Sequence, residues 1–380
     1  SFLWGNICVR LVVCNLLMMD GRFLAGLATG AAAAALLLHW RQRSTKEAAW
    51  GYPPRGSPSS AGAPVDTSSV LAQGHVAVIT GAGSGIGRAC ARRCAKLGMK
   101  VVIAGIPKED LEHVRQECIT DGSDPQCVVA KECDVTCEDA VKELRDFAFR
   151  TFGAVHFLMN NAAIQNNGQA GPYDHLDRWR NTLAVNLWGV VHGCQVFTPK
   201  MIAQKEPSVI VNTGSKQGIT CPPGDTAYNV SKASVKVLTE ALQHSLRSEP
   251  HCQVSAFLLV PGWTITMIAT HANQRLQGDA WEASTAQDER SYDGIADPEY
   301  ARSKLQARGA WTADEVVDEL FNAVRSGAPF YIICPDNETT EAMDRGRMQW
   351  AADDLLFRRL PLSRWAEQHK PEFQAVAARF

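Results

Sequence analysis

The rhythm of apolar and polar positions divides the chain into regions of different kind. After Gly74, short apolar runs alternate with segments of helical period. Residues 75–79, 99–104, 126–133, 155–159, 208–213, 253–260 and 330–334 read as strands, and 88–97, 108–118, 138–152, 183–200, 226–247 and 313–325 as helices. Thr312 and Glu315 open the last of these helices as a capping box, and Gly327 stops it. Strands that are apolar throughout are buried on both faces, so helices cover both sides of a parallel sheet. The pattern predicts an α/β fold: a Rossmann-type doubly wound parallel sheet forming a single domain, with ligands beyond the carboxyl ends of its strands.

The flanks differ from this domain. An uncharged apolar stretch from Phe23 to Trp40 reaches roughly 27 Å as a helix, barely the thickness of a bilayer core. Arg41, Arg43 and Lys46 follow it, which for a retained membrane anchor places the rest of the chain on the cytosolic side. The same run also reads as the apolar part of a targeting peptide, leaving an organelle-targeted soluble protein, or as an ordinary helix. The expected organisation is a hydrophobic N-terminal segment (1–46), a Pro/Gly/Ser linker (47–73), the Rossmann-type domain (74–335) with a polar lid at about 267–310, and a helical C-terminal extension (336–380). Trp350, Leu355, Leu356 and Leu360 give that extension an apolar face suited to packing or to self-association as a homo-oligomer.

Composition narrows the chemistry mainly by exclusion. A formal net charge of −2 with no block of like charges gives no footprint for nucleic acid or an acidic substrate. The 12 cysteines form no Cys-x-x-Cys pair and sit mostly in apolar stretches, Cys90 and Cys94 among them, so they read as reduced core thiols. The histidines fall at no metal-ligand spacing, and no metal site is expected.

Between the first strand and first helix lies Thr80-Gly-Ala-Gly-Ser-Gly-Ile-Gly87. Glycines there permit positive φ and close approach of backbone to a pyrophosphate, whose charge the helix start favours. No Gly-Lys-Ser/Thr follows, which excludes a nucleotide-hydrolase phosphate loop. Further on, Tyr228 and Lys232 stand four residues apart on one helix face, and Ser215 follows the strand 208–213 at the same edge of the sheet.

The glycine spacing departs from Gly-x-Gly-x-x-Gly and resembles that of the short-chain dehydrogenase/reductase family, strongly over 74–267 and more weakly to 335. The resemblance implies cofactor contacts at Gly81, Ser84, Gly85, Ile86 and Gly87, at Asp134 and Val135, at Asn161 and Ala162 within Asn160-Asn161-Ala162-Ala163, and at Pro261, Gly262, Thr264 and Thr266. Ala163 stands where the family has glycine. The catalytic set implied is Asn186, Ser215, Tyr228 and Lys232, the last two also touching cofactor. Tyr228 is then the acid/base, its phenol lowered by the neighbouring ammonium; Ser215 binds the substrate oxygen, Lys232 also the ribose, and Asn186 a proton-relaying water.

These readings predict an NAD(P)-dependent oxidoreductase acting on a small alcohol or carbonyl substrate. NADP is favoured over NAD, because Gly105 replaces the acid that would repel a 2′-phosphate, though Ile106 stands where an arginine often follows and only Lys108 supplies a nearby charge. A non-catalytic dinucleotide sensor or scaffold is the alternative, and a membrane-interaction protein whose enzyme domain is incidental is a third. Trp179 and Trp188 are expected to pack, while Trp281 and Tyr292 are candidate substrate contacts from the lid.

Overall fold

The computed structural model describes residues 65–268, 271, 306–307, 309–336 and 339–377. The apolar run 23–40, most of the linker and nearly all of the lid, with Trp281 and Tyr292, lie outside the described residues. Among those described, no helix is long and apolar enough to cross a membrane.

Seven parallel strands form the sheet: β1 (Val76–Thr80), β2 (Lys100–Gly105), β3 (Val128–Glu132), β4 (Phe157–Asn160), β5 (Ser208–Thr213), β6 (Val254–Val260) and, late in the chain, β9 (Tyr331–Ile333). Their order is β3-β2-β1-β4-β5-β6-β9, so the direction of winding reverses between β1 and β4. A crevice for ligand is expected at such a reversal. A separate parallel pair, β7 (Thr264–Ile265) with β8 (Trp311–Thr312), lies beyond the end of β6.

Successive strand residues feed opposite cores. Ala77, Ile79, Val101, Ile103, Phe157 and Met159 pack with α1 (Gly85–Lys96), α2 (Lys108–Thr120) and α8 (Ala313–Ser326). Val78, Val102, Leu158 and Ile210 pack with α3 (Glu138–Phe152), α5 (Gly189–Gln204) and α7 (Thr226–Ser248). Both faces are dry, as uninterrupted apolar strands require. The capping box on α8 is formed: the Thr312 side chain accepts from the Glu315 backbone, and Glu315 binds back to the Thr312 N–H. Cys90 and Cys94 are buried in the first core, and the described cysteines are free thiols.

Several boundaries differ from the sequence reading. Helix α1 starts at Gly85 rather than Arg88, because the last glycines of the loop are already helical. The domain begins before residue 74: Thr67, Val70 and Leu71 are buried, two apolar positions hidden among polar neighbours. The helix expected at 183–200 is longer and interrupted, running as α4 (Leu176–Leu183), a π-helical turn (Ala184–Trp188) and α5. Trp188 does not pack as expected; it is 55% exposed, turned out by that widened turn.

Candidate active site

At the carboxyl end of β1 the chain turns through Gly81 (φ +61°) and Gly85 (φ +52°), conformations that L side chains rarely adopt. A Cβ on Gly81 would stand 2.7 Å from the Ala162 Cα, and one on Gly87 2.3 Å from the Gly81 carbonyl oxygen. The loop is thus pressed against the segment after β4, and its glycines are needed for packing as well as for ligand approach. Ser84 caps α1 without a side-chain hydrogen bond, and the first turn holds no acidic residue. Its first N–H groups and positive dipole end are left to an anion, so the loop fits the pyrophosphate of a dinucleotide.

Polar side chains connect this loop to the second half of the sheet. Asn161 donates from Nδ2 to the carbonyls of Thr80 (3.2 Å) and Gly81 (3.3 Å), while the Thr213 hydroxyl donates to Asn161 Oδ1 at 3.3 Å. Lys232 Nζ donates to the Thr213 carbonyl at 2.8 Å. Thr80 Oγ1 accepts from the backbone of Asn161 and Ala162. The chain from Gly81 to Lys232 is therefore continuous, which places the glycine loop and the tyrosine helix around one crevice.

Helix α7 presents Tyr228 and Lys232, both buried. Asp225 caps this helix, accepting from the Tyr228 N–H at 3.2 Å, and also accepts from the Asn166 backbone at 2.6 Å. Ser215 stands close enough to the Tyr228 phenol to lower it, and its Oγ accepts from the Gln217 N–H at 3.2 Å. Burial pushes that phenol up to about 12, reinforced by the Asp225 carboxylate and only partly opposed by Ser215. The expectation that Lys232 lowers Tyr228 is not met in the ligand-free chain. Burial instead brings the Lys232 ammonium down to about 7, and its nitrogen bonds Thr213 rather than the phenol, 5.7 Å from the centre of the tyrosine ring.

Asn186 sits fully buried in the π-helical turn. Its Nδ2 donates to the Ile164 carbonyl (2.9 Å) and Ser231 Oγ (3.0 Å), and its Oδ1 accepts from the Ile164 N–H (2.8 Å). Both amide protons are engaged, so the side chain ties the post-β4 segment to α7. Asp134 is exposed, its carboxylate accepting from the Thr136 N–H at 2.9 Å, and Val135 is buried against Gly189. Ile86 is half-buried on the first core. Thr266 lies over the glycine loop, 3.1 Å from where a Gly85 Cβ would be, and Thr264 donates to the Gly262 carbonyl. The Pro261 carbonyl accepts from the Lys216 N–H.

Two supports went unread in the sequence. Asn166 joins Asp225 to Thr182 (Nδ2 to Oγ1, 2.9 Å), bracing the loop above Tyr228. Lys216, next to Ser215, is held by Asp336 at 3.2 Å and by Asp344 at 2.6 Å. Asp336 also accepts from the Trp263 N–H, so one buried carboxylate joins the serine loop, the segment after β6 and the C-terminal extension. A lysine directly after the serine was the available signal; its partners more than a hundred residues away were not.

A parallel α/β sheet with these groups gathered at its carboxyl edge defines a Rossmann-type oxidoreductase architecture. The short chain dehydrogenase family model matches residues 75–277, and the chain belongs to that family. SadH of Mycobacterium tuberculosis, whose name assigns it as an oxidoreductase, is 35% identical over 200 residues, covering 53% of this chain and 70% of its own. A short-chain dehydrogenase/reductase from Burkholderia phymatum, solved in complex with NAD, is 33% identical and covers 76% of this chain and 96% of its own, with a TM-score of 0.62. The 3-ketoacyl-(acyl-carrier-protein) reductase of Brucella melitensis, solved with NADH, is 25% identical over 70% of this chain and 97% of its own, with a TM-score of 0.54.

Proposed function

We propose that this oxidoreductase interconverts a secondary alcohol and its ketone with NAD(P), Tyr228 transferring the proton. The observation that carries the reading is the placing of Ser215 beside the buried Tyr228 phenol, next to a glycine loop that offers unpaired helix N–H groups. The dinucleotide, when bound, supplies or accepts the hydride. Gly81, Gly85 and Gly87 would let its pyrophosphate reach the start of α1, and Thr266 would close over it.

In the direction of reduction the substrate carbon gains hydride and its oxygen gains a proton. Ser215 holds that oxygen by donating a hydrogen bond, which strengthens as negative charge develops there. Tyr228 gives up its phenolic proton to it. A phenol held high by burial is present as the proton donor at neutral pH, which suits reduction. Lys232 lies at the boundary between phenol and loop, and a cationic ammonium there would stabilise the phenolate left behind. NADP is preferred, since β2 ends at Gly105 with no carboxylate. Initial rates with NADPH and with NADH across a panel of ketones test the proposal: turnover of at least one ketone, lost in Tyr228→Phe, is expected. Dinucleotide binding without turnover on any carbonyl or alcohol would favour a sensor instead.

A further inference from the structure

A second cavity opens away from the glycine loop, between the short helix α6 (Gln217–Thr220) and the C-terminal extension, whose α9 (Glu341–Leu356) precedes a turn at 363–365. Its volume is about 440 Å³, enough for a ligand of metabolite size. Neither Ser215 nor Tyr228 lines it. Trp350, Leu355 and Leu362 supply an apolar wall, and Thr220, Arg347 and Arg364 supply polar groups.

The charge of this cavity is what selects a ligand. Four arginines and one acid, Asp354, face it. Asp354 is already engaged: it pairs with Arg359 (3.0 Å) and accepts from Ser363. Arg359 also stacks on Trp350, its guanidinium 4.2 Å from the ring centre. Arg347 donates to Thr339 and has Asp344, which also pairs with Lys216, at 4.0 Å, so four guanidiniums still outnumber the two acids around them. Arg364 stacks against Trp365 at 4.3 Å, which fixes its plane, yet its Nη1 is buried and has no hydrogen-bond partner among the described residues. A buried guanidinium nitrogen without a partner is costly, and an anion is the group that would satisfy it. Burial and the nearby Arg347 together depress Arg364 to about 10, only partly opposed by Asp344.

We propose that this cavity is a binding site for an amphipathic organic anion, whose phosphate or carboxylate pairs with Arg364 and Arg347 and whose apolar part lies on Trp350, Leu355 and Leu362. Its place against α6 sets it behind the serine loop, since the Gln217 N–H donates to Ser215 Oγ and Thr220 ends the same helix.

Calorimetric titration of the full chain with decyl phosphate, below its micelle concentration, tests this. Saturable binding is expected, with decanol and inorganic phosphate each at least about tenfold weaker, the worth of losing one charge-assisted contact or the apolar contact. Arg364→Gln keeps the stacking surface and removes the charge, and should weaken decyl phosphate about tenfold while dinucleotide affinity is unchanged. Leu355→Asp, at a position 82% exposed and so safe for folding, should weaken it through the apolar wall. Decanoate in place of decyl phosphate separates a carboxylate ligand from a phosphate; saturable binding of either supports the site. Equal affinity of wild type and both variants would overturn it. So would binding to phosphatidylcholine vesicles containing phosphatidic acid without saturable uptake of monomeric decyl phosphate or decanoate, because the anion would then be a membrane surface. Turnover plays no part in these readouts, so failure here leaves the oxidoreductase proposal standing.

Discussion

The two halves of the sheet build their parts of the crevice by opposite means. Around β1 and α1 the site is made by removing side chains: Gly81, Gly85 and Gly87 leave backbone that nothing larger could occupy. Around β5 and α7 it is made by burying polar side chains that would be costly without partners: Thr213 binds Asn161, Lys232 binds the Thr213 carbonyl, and Ser215 stands beside the Tyr228 phenol. The first half should therefore fail when atoms are added and the second when they are taken away. One loses ligand; the other loses chemistry.

The largest effect is expected in the second half. Tyr228→Phe keeps the ring and its packing but removes the transferable proton, so kcat should fall by about 10²–10⁴ with dinucleotide affinity kept. Near-normal turnover with chemistry rate-limiting would show that another group moves the proton. For the first half the matching test is Gly85→Val. The new Cβ meets Thr266 at 3.1 Å and sits at φ +52°, so dinucleotide binding should fall below detection by calorimetry. The strain should also cost about 1–2 kcal/mol in urea unfolding. Full affinity in a folded variant would remove the loop from the site.

Lys232 offers a sharper comparison, because its burial has a pH signature. Its folded value, about 7, lies below its ordinary 10.5. Between these pH values the unfolded chain binds a proton that the folded chain does not, so this group makes stability rise with pH. The penalty is fully present below pH 7 and is relieved as pH climbs towards 10. Above 10 the Tyr228 phenol works the other way, since the unfolded tyrosine ionises first. Urea unfolding of wild type and Lys232→Met from pH 7 to 9.5 should show a difference that moves in favour of wild type as pH rises. A flat difference would mean that Lys232 is solvated or paired in the folded chain.

Legibility in the sequence followed the range of each interaction. The strands, the glycine loop and the Tyr228–Lys232 spacing are local patterns fixed by period and turn chemistry, and they were readable. Asn186 and the post-β6 segment are named through family resemblance, since no local rule marks them, while Ser215 is placed by the end of its strand and takes its role from the resemblance. The partners of Lys216 come from Asp336 and Asp344, and those of Asn166 from Thr182 and Asp225, and only the tertiary fold brings these together. The direction of the Tyr228 shift was misjudged for a related reason. Helical spacing placed the lysine near, but gave neither the depth of burial nor the competing Thr213 carbonyl.

The smallest expected effect concerns the far end of the glycine loop, where the two cofactors differ. Gly105, at the end of β2, carries no acid; a Cβ on it would make ordinary contact with the Gly81 backbone at 3.5 Å, but its φ of +153° is one that L side chains rarely adopt. A carboxylate from α2 lies against the loop instead: a Cβ on Gly83 would stand 2.9 Å from the Asp110 Cβ. Asp110 is half-buried, in the first turn of its helix, while Lys108 two residues earlier is exposed. These charges oppose each other beside the position where a 2′-phosphate would distinguish NADP. With the acid absent from β2, wild type should favour NADPH. Asp110→Asn should raise kcat/KM for NADPH over NADH by a further few-fold, and Lys108→Gln should lower it by a similar factor, the scale of one partly screened charge at this exposure. Steady-state comparison of both cofactors on one ketone measures this directly. A clear wild-type preference for NADH, abolished in Asp110→Asn, would mean that Asp110 performs from the helix the role that the acid at the strand end performs elsewhere, and the NADP assignment would be reversed.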